Sequence, residues 1–171
     1  MERLLVDMDG VLADVYAQFA AYELRETGHV VDYHTMQEID EVVAFPNGLK
    51  HVHQPGFFAG MNPIENSIAV MEQLYHKYEV FIVSAAMEFP NSLKEKHDWL
   101  AEHFPFISWK RIILCGSKTP VQGAYLIDDH FKNLDLFPNN TLLFDQPHNR
   151  FLEAGRHQRV KNWEEIAGIL L

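Results

Sequence analysis

Leu4-Leu5-Val6-Asp7-Met8-Asp9-Gly10-Val11-Leu12 decides how this chain is read. An apolar run leads into two carboxylates spaced i, i+2, and a glycine follows. Such a run, closed by a Gly turn, predicts a buried strand that ends at Asp7. Asp7 and Asp9 then lie at the carboxyl edge of a sheet, where open α/β folds place their ligands. Two carboxylates that close repel unless a cation or a shared proton offsets the charge. The pair therefore points to a hard-cation site or to a nucleophile beside an acid/base group. A strand followed by an Asx-type turn is the plain alternative.

Working outward, the same grammar recurs. Val80-Phe81-Ile82-Val83 ends at Ser84, and Arg111-Ile112-Ile113-Leu114-Cys115 ends at Gly116-Ser117-Lys118. Tyr125-Leu126-Ile127 ends at Asp128-Asp129, and Thr141-Leu142-Leu143-Phe144 ends at Asp145. Helices are predicted between them. Asp14 to Thr27 carries apolar Val15, Phe19, Tyr22 and Leu24 and stops at Gly28. A second helix runs from about Ile64 to Tyr78 behind Pro63, with apolar Ile68, Met71, Leu74 and Tyr75. A third, capped by Asn91 or Ser92, reaches His103, and a last one starts after Asn162. Residues 29–62, rich in His, Pro and Gly, are too long for a bare connection and read as a small insertion with short helices.

Strands alternating with helices predict an α/β fold, a Rossmann-like parallel sheet covered by helices on both faces. In a parallel sheet all carboxyl ends share one edge, so Asp7, Asp9, Ser84, Lys118, Asp128 and Asp129 are expected to converge. Four carboxylates together need compensation. Oxygen ligands of this kind suit Mg²⁺, which binds through a few carboxylates plus substrate phosphate. Lys118 adds a point cation and Ser84 a hydrogen-bond donor, so a phosphate could sit among them. Taken singly, Ser84 reads as a turn residue, Lys118 as a surface lysine and the 128–129 pair as a helix cap.

Composition bounds the rest. The 171 residues fit one domain with a small insertion. A formal charge of −10 argues against binding a nucleic-acid polymer. Cys115, the single cysteine, excludes an internal disulfide and is expected to be a small buried residue at a strand end. Trp99, Trp109 and Trp163 are expected in the core or on helix faces. No His pair has the helical spacing of a zinc site. No stretch approaches the about 18 apolar residues of a membrane span, and no signal segment is evident, so a cytoplasmic location and no membrane partner are the default.

In order, the motifs resemble those of the haloacid-dehalogenase (HAD) superfamily: Asp7-Met8-Asp9-Gly10-Val11-Leu12 as motif I, Ser84 as II, Lys118 as III and Asp128-Asp129 as IV. The segments DMDGVLAD (Asp7 to Asp14), Pro55-Gly56-Phe57-Phe58, Cys115-Gly116-Ser117-Lys118-Thr119 and Leu126-Ile127-Asp128-Asp129-His130 resemble the 5'(3')-deoxyribonucleotidase family within it. The resemblance implies a HAD-like core over 1–14 and 76–171, with a small helical cap over 15–75 inserted after the first strand. It implies an Mg²⁺-dependent phosphatase acting on nucleoside monophosphates, deoxyribonucleotides among them, through an aspartyl phosphate. Asp7 is then the nucleophile and Asp9 the acid/base. Asp7, the Asp9 carbonyl and Asp128 or Asp129 would hold the metal, with Ser84, Lys118 and backbone N–H groups at Ala85 and around Gly10 on the phosphate.

Two positions depart from the animal enzymes of that family. Val15 stands where they carry an aromatic, and Gly116 stands where they carry an arginine. An aromatic stacks on a base and an arginine offers a forked anchor. Phe45, Phe57 and Phe58 are candidates for stacking from the cap, or for its core. The alternatives are a phosphatase for another small phosphate monoester, such as a sugar phosphate, and a non-catalytic phosphate-binding module.

Overall fold

A computed structural model describes residues 1–35 and 41–171. Six strands form one parallel sheet: β1 (Arg3–Val6), β2 (Glu79–Ser84), β3 (Ile112–Leu114), β4 (Tyr125–Asp128), β5 (Asn140–Phe144) and β6 (Gln158–Val160). Their order is β3-β2-β1-β4-β5-β6. The chain therefore reverses direction across the sheet between β1 and its neighbour β4, the switch point where doubly wound sheets open a crevice. Seven helices are described: α1 (Val15–Thr27), α2 (Glu41–Ala44), α3 (Gly48–Val52), α4 (Ser67–Lys77), α5 (Ser92–His103), α6 (Phe131–Leu134) and α7 (Trp163–Leu170).

Alternation along the strands sorts the core. Leu4 and Val6 of β1, with Ile82 and Ile127, join the large cluster that includes Met71 and Leu74 of α4, Trp99 of α5 and Trp163 of α7. Leu5, Val83, Leu126 and Leu143 face the other way and meet Leu134 and Phe137 at the end of α6. Both faces are covered, the second by a four-residue helix and its flanking loop.

Several details differ from the sequence reading. In α1 the buried stripe is Tyr16, Phe19, Tyr22 and Glu23, while Leu24 is exposed. Glu23 is buried, with Asn47 Nδ2 donating to its Oε1 at 2.9 Å. Helix α4 starts at Ser67 rather than Ile64, because Pro63 bridges Ala13 and the Ile64 N–H donates to the Leu12 carbonyl. Its buried residues are Ser67, Val70, Met71 and Leu74, which leaves Ile68 facing out. Strand β6 is too short and too polar to announce itself. Trp109 is exposed on a 3₁₀ turn, unlike Trp99 and Trp163, and Cys115 is only half-buried. Asn91 precedes α5 without capping it; its side chain donates to the Val52 carbonyl instead. Asp14 and Asn162 do cap, accepting from Ala17 N and Glu165 N.

The expected irregular insertion includes residues 36–40, which lie outside the described residues. The rest of 29–62 contains α2 and α3, as short helices. The strands of chain entering and leaving it run side by side: Asp14 N donates to Asn62 O, and Ala13 bridges Pro63. Among the described residues, no helix is long and apolar enough to cross a membrane.

Candidate active site

The turn after β1 is built on one carbonyl. Met8 O accepts from the N–H groups of Val11, Leu12 and Ala13, at 3.3, 2.8 and 2.9 Å. Folding back that tightly needs a left-handed residue, and Gly10 has φ +74°. Gly10 N–H donates to Ala13 O within the turn, at 2.9 Å. A Cβ at Gly10 would collide with Asp129 Oδ2. Gly10→Ala is therefore expected to cost on the order of 2 kcal/mol from φ and crowding together. It should displace the Asp129 carboxylate, read as a lower urea midpoint and a drop in activity.

Asp7, at the end of β1, and Asp128, at the end of β4, are both buried. Lys118, from the loop after β3, is buried between them, its Nζ 2.5 Å from Asp7 Oδ1 and 2.6 Å from Asp128 Oδ2. Burial pushes the Asp7 carboxyl up to about 7; Lys118 opposes that shift, and Asp128 and Asp9 add to it. Burial would lower Lys118, yet Asp128 and Asp7 outweigh it and hold the ammonium above its ordinary value. Asp128 is saturated: His130 N–H donates to Oδ1 at 2.9 Å, and Asn133 Nδ2 reaches both oxygens at 3.0 Å. Asp7, Asp128 and Asp129 can each place a carboxylate oxygen within 4.8 Å of the others, a hard oxygen set that could hold a divalent cation.

Asp9 sits beside this cluster and forms an ion pair through Oδ2 with Lys96 of α5. Ser84 closes β2, and its Oγ accepts from the same Lys96 at 3.1 Å. The sequence reading missed Lys96. The available signal was its place on α5: Ser92, Lys96, Trp99 and Leu100 form the buried stripe, so a lysine occupies a core-face position.

A layer behind the site was also missed. From the loop after β5, Gln146 Nε2 donates to Gly10 O at 2.5 Å, and Asn149 Nδ2 donates to Asp129 O at 2.8 Å. His148 Nε2 lies 2.9 Å from the same Asp129 carbonyl, and Tyr16 OH lies 2.6 Å from His148 Nδ1. A carbonyl only accepts, so Nε2 carries the proton. His130 and His148 stack with centroids 4.3 Å apart. Both Nε2 atoms lie near Asp129 Oδ2, 3.9 Å away for His130 and 3.8 Å for His148, so Asp129, His130 and His148 form a second group whose ligand atoms lie within 4.8 Å of one another.

Above the charged floor lies a cavity of about 340 Å³. Asp7, Asp9, Ser84, Ala85 and Lys118 line it from the sheet edge, and Val15, Phe19, Phe45, Val52 and Phe58 from the inserted segment. Glu88 and Lys132 add charge. Of the three candidate stacking residues, Phe45 and Phe58 reach the cavity, whereas Phe57 packs inside the insertion against Phe19 and Tyr22. The site thus joins a charged floor to an apolar, aromatic wall.

The sequence profile of the family described as 5' nucleotidase, deoxy (pyrimidine), cytosolic type C protein matches residues 2–171. The chain belongs to this family. Membership makes it a phosphoric monoester hydrolase of the nucleotidase type. A similar protein, the 5'(3')-deoxyribonucleotidase of Bacillus subtilis (strain 168), is 38% identical over 175 residues, 98% of each chain. The fold is that of HAD-like hydrolases. A haloacid dehalogenase-like family hydrolase from Streptococcus pneumoniae superposes with TM-score 0.66 at 12% identity, covering 100% of this chain and 99% of the other. The HAD-type protein YfnB from Bacillus subtilis, solved bound to magnesium, gives TM-score 0.62 at 16% identity over 99% and 98%.

Proposed function

We propose that this protein is an Mg²⁺-dependent phosphatase of nucleoside monophosphates, deoxyribonucleotides preferred, working through an aspartyl phosphate on Asp7. The cavity carries the reading. Its floor presents a lysine and a serine hydroxyl suited to a dianionic group and carboxylates suited to a divalent cation, and its wall presents aromatic rings suited to a base. The deoxyribonucleotidase name of the Bacillus subtilis relative supports the substrate class.

An Asp7 oxygen attacks phosphorus, and the ester bond breaks with its electrons on the departing alkoxide. Asp9 protonates that alkoxide, then takes a proton from the water that attacks the phosphoryl group on Asp7. Inorganic phosphate leaves and both carboxyl groups return to their starting state. Ser84, Lys118 and the Ala85 N–H hold phosphate oxygens, while Gly10 shapes the turn. Asp128 is engaged by Lys118, His130 and Asn133, so Asp129, with Asp7 and the Asp9 carbonyl, would hold the metal. When bound, Mg²⁺ offsets the charge that nucleophile and phosphate bring together.

We draw the cap at 15–62 rather than 15–75. The chain entering and the chain leaving pair at 13–14 and 62–63, and α4 packs with β2 and α7.

Phosphate release from deoxy- and ribonucleoside 5'- and 3'-monophosphates, sugar phosphates and p-nitrophenyl phosphate tests the reading. The deoxyribonucleotides should lead, and EDTA should stop turnover until Mg²⁺ returns. Turnover that persists in EDTA removes the metal from the mechanism, and a preference for sugar phosphates removes the nucleotide.

A further inference from the structure

Lys96 lies outside every motif singled out in the sequence, yet it is among the most buried charges in the described residues, 2% exposed. A buried lysine needs a specific partner, since an unpaired ammonium away from water is costly. Its charge partner is Asp9, met through Oδ2. Its second contact is Ser84 Oγ at 3.1 Å, and its ammonium lies 4.8 Å from the centre of the Phe58 ring. An ammonium can only donate. Asp9 Oδ2 and Ser84 Oγ are therefore both acceptors here, which leaves the Ser84 proton to be directed elsewhere. Asp9 Oδ1 is buried and has no hydrogen-bond partner among the described residues. The two oxygens of Asp9 are thus made unequal: one is pinned, the other is left for a guest.

The helix that delivers Lys96 is itself immobilised. Asn91, just before α5, and Glu95 and Trp99 on it, spaced four apart, all grip the inserted segment. Asn91 donates to Val52 O at 2.8 Å and Trp99 Nε1 to Met61 O at 2.7 Å. The Glu95 carboxylate accepts from the N–H groups of Gly56, Phe58 and Ala59, at 2.7, 3.0 and 3.1 Å. Ser92 Oγ anchors the same helix to Ala86 O at 3.2 Å.

We propose that Lys96 is a positioning residue for the hydrolysis: it holds Asp9 by Oδ2 so that Oδ1 faces the ester oxygen as the atom that gives the proton. This rests on the phosphatase reading above. The step uses the acid form of Asp9, with the proton on Oδ1 and Oδ2 still accepting from Lys96: the O–H bond at Oδ1 breaks as the P–O ester bond breaks, the proton ends on the leaving alkoxide, and the water that later attacks the phosphoryl group returns a proton to Oδ1. A purely structural ion pair is the competing account, and buried pairs are weak stabilisers.

Leaving-group chemistry separates the two. An alkyl ester such as thymidine 5'-monophosphate needs its leaving oxygen protonated; p-nitrophenolate leaves without help. Since kcat/KM reports the steps up to phosphoryl transfer, Lys96→Met should lower it about 100-fold for thymidine 5'-monophosphate and less than about tenfold for p-nitrophenyl phosphate. Equal losses on both esters overturn the proposal, while an inactive wild-type protein overturns the phosphatase reading instead. Lys96→Met removes the donor to Asp9 Oδ2 and is checked by thermal unfolding. Should it fail to fold, Asp9→Asn and the Asp9→Asn/Lys96→Met double variant, which strands no charge, decide the matter. If Lys96 acts through Asp9, the second change lowers kcat/KM for thymidine 5'-monophosphate less than about threefold. A further tenfold fall shows that Lys96 acts independently.

Discussion

Asp7→Asn should abolish phosphate release while leaving the fold intact, or slightly stabilised. The activity loss is expected to reach about four orders of magnitude, because an amide oxygen cannot form the covalent intermediate and removing a nucleophile costs that much or more elsewhere. Stability should move the other way for an electrostatic reason. Burial pushes the Asp7 carboxyl up to about 7, so the ionised form is held against its preference. Asparagine fills the same volume and its Oδ1 can still accept from Lys118, but it carries no charge to desolvate. Paired measurements of phosphate release and thermal midpoint check both halves. A variant that kept more than about a tenth of wild-type turnover would show that water attacks the ester directly, with Asp7 confined to binding.

The fold was legible because its signals are local. Apolar runs of three to five residues marked β1 to β5, and turn residues fixed where each ended. Parallel topology then carried the inference from separate segments to one edge, where the structure does bring Asp7, Ser84, Lys118 and Asp128 together. What stayed hidden was of two kinds. β6 is three residues, Gln158–Val160, and a strand that short has no period to detect. The layer behind the site consists of side chains that serve backbone groups: Gln146 for Gly10 O, and Asn149 and His148 for Asp129 O. Nothing in residue type or spacing announces which carbonyl an amide will find. Lys96 lies between these cases. Its helical phase marked it as inward-facing, but only coordinates name Asp9 as the partner. The apolar stripes slipped by a residue in α1 and α4, because Glu23 and Ser67 turn inward and displace Leu24 and Ile68 from the core.

Removing Lys118 tests how the site tolerates its own charge. The lysine is the one side-chain cation in contact with both Asp7 and Asp128 among the described residues. Lys118→Met keeps the chain length and the packing but strands two buried carboxylates. Deleting one partner of a buried ion pair typically costs about 3–5 kcal/mol, so in EDTA the variant should show a markedly lower urea midpoint. The loss should also depend on pH in a definite direction. Asp7 already has a folded-state pKa above its unfolded value, so its contribution is present at low pH and lost as pH rises through about 7. Lys118 is the group that opposes that rise. Without it the carboxyl climbs further, and the gap between variant and wild type should widen from pH 5 to pH 8. Phosphate release should fall as well, because the point charge on the phosphate oxygens is gone. A gap that stayed constant across that range would place the cost in packing rather than in the stranded carboxylates, and Lys118 would then be a spacer between β1 and β4 instead of the counter-charge that lets the two acids share one edge.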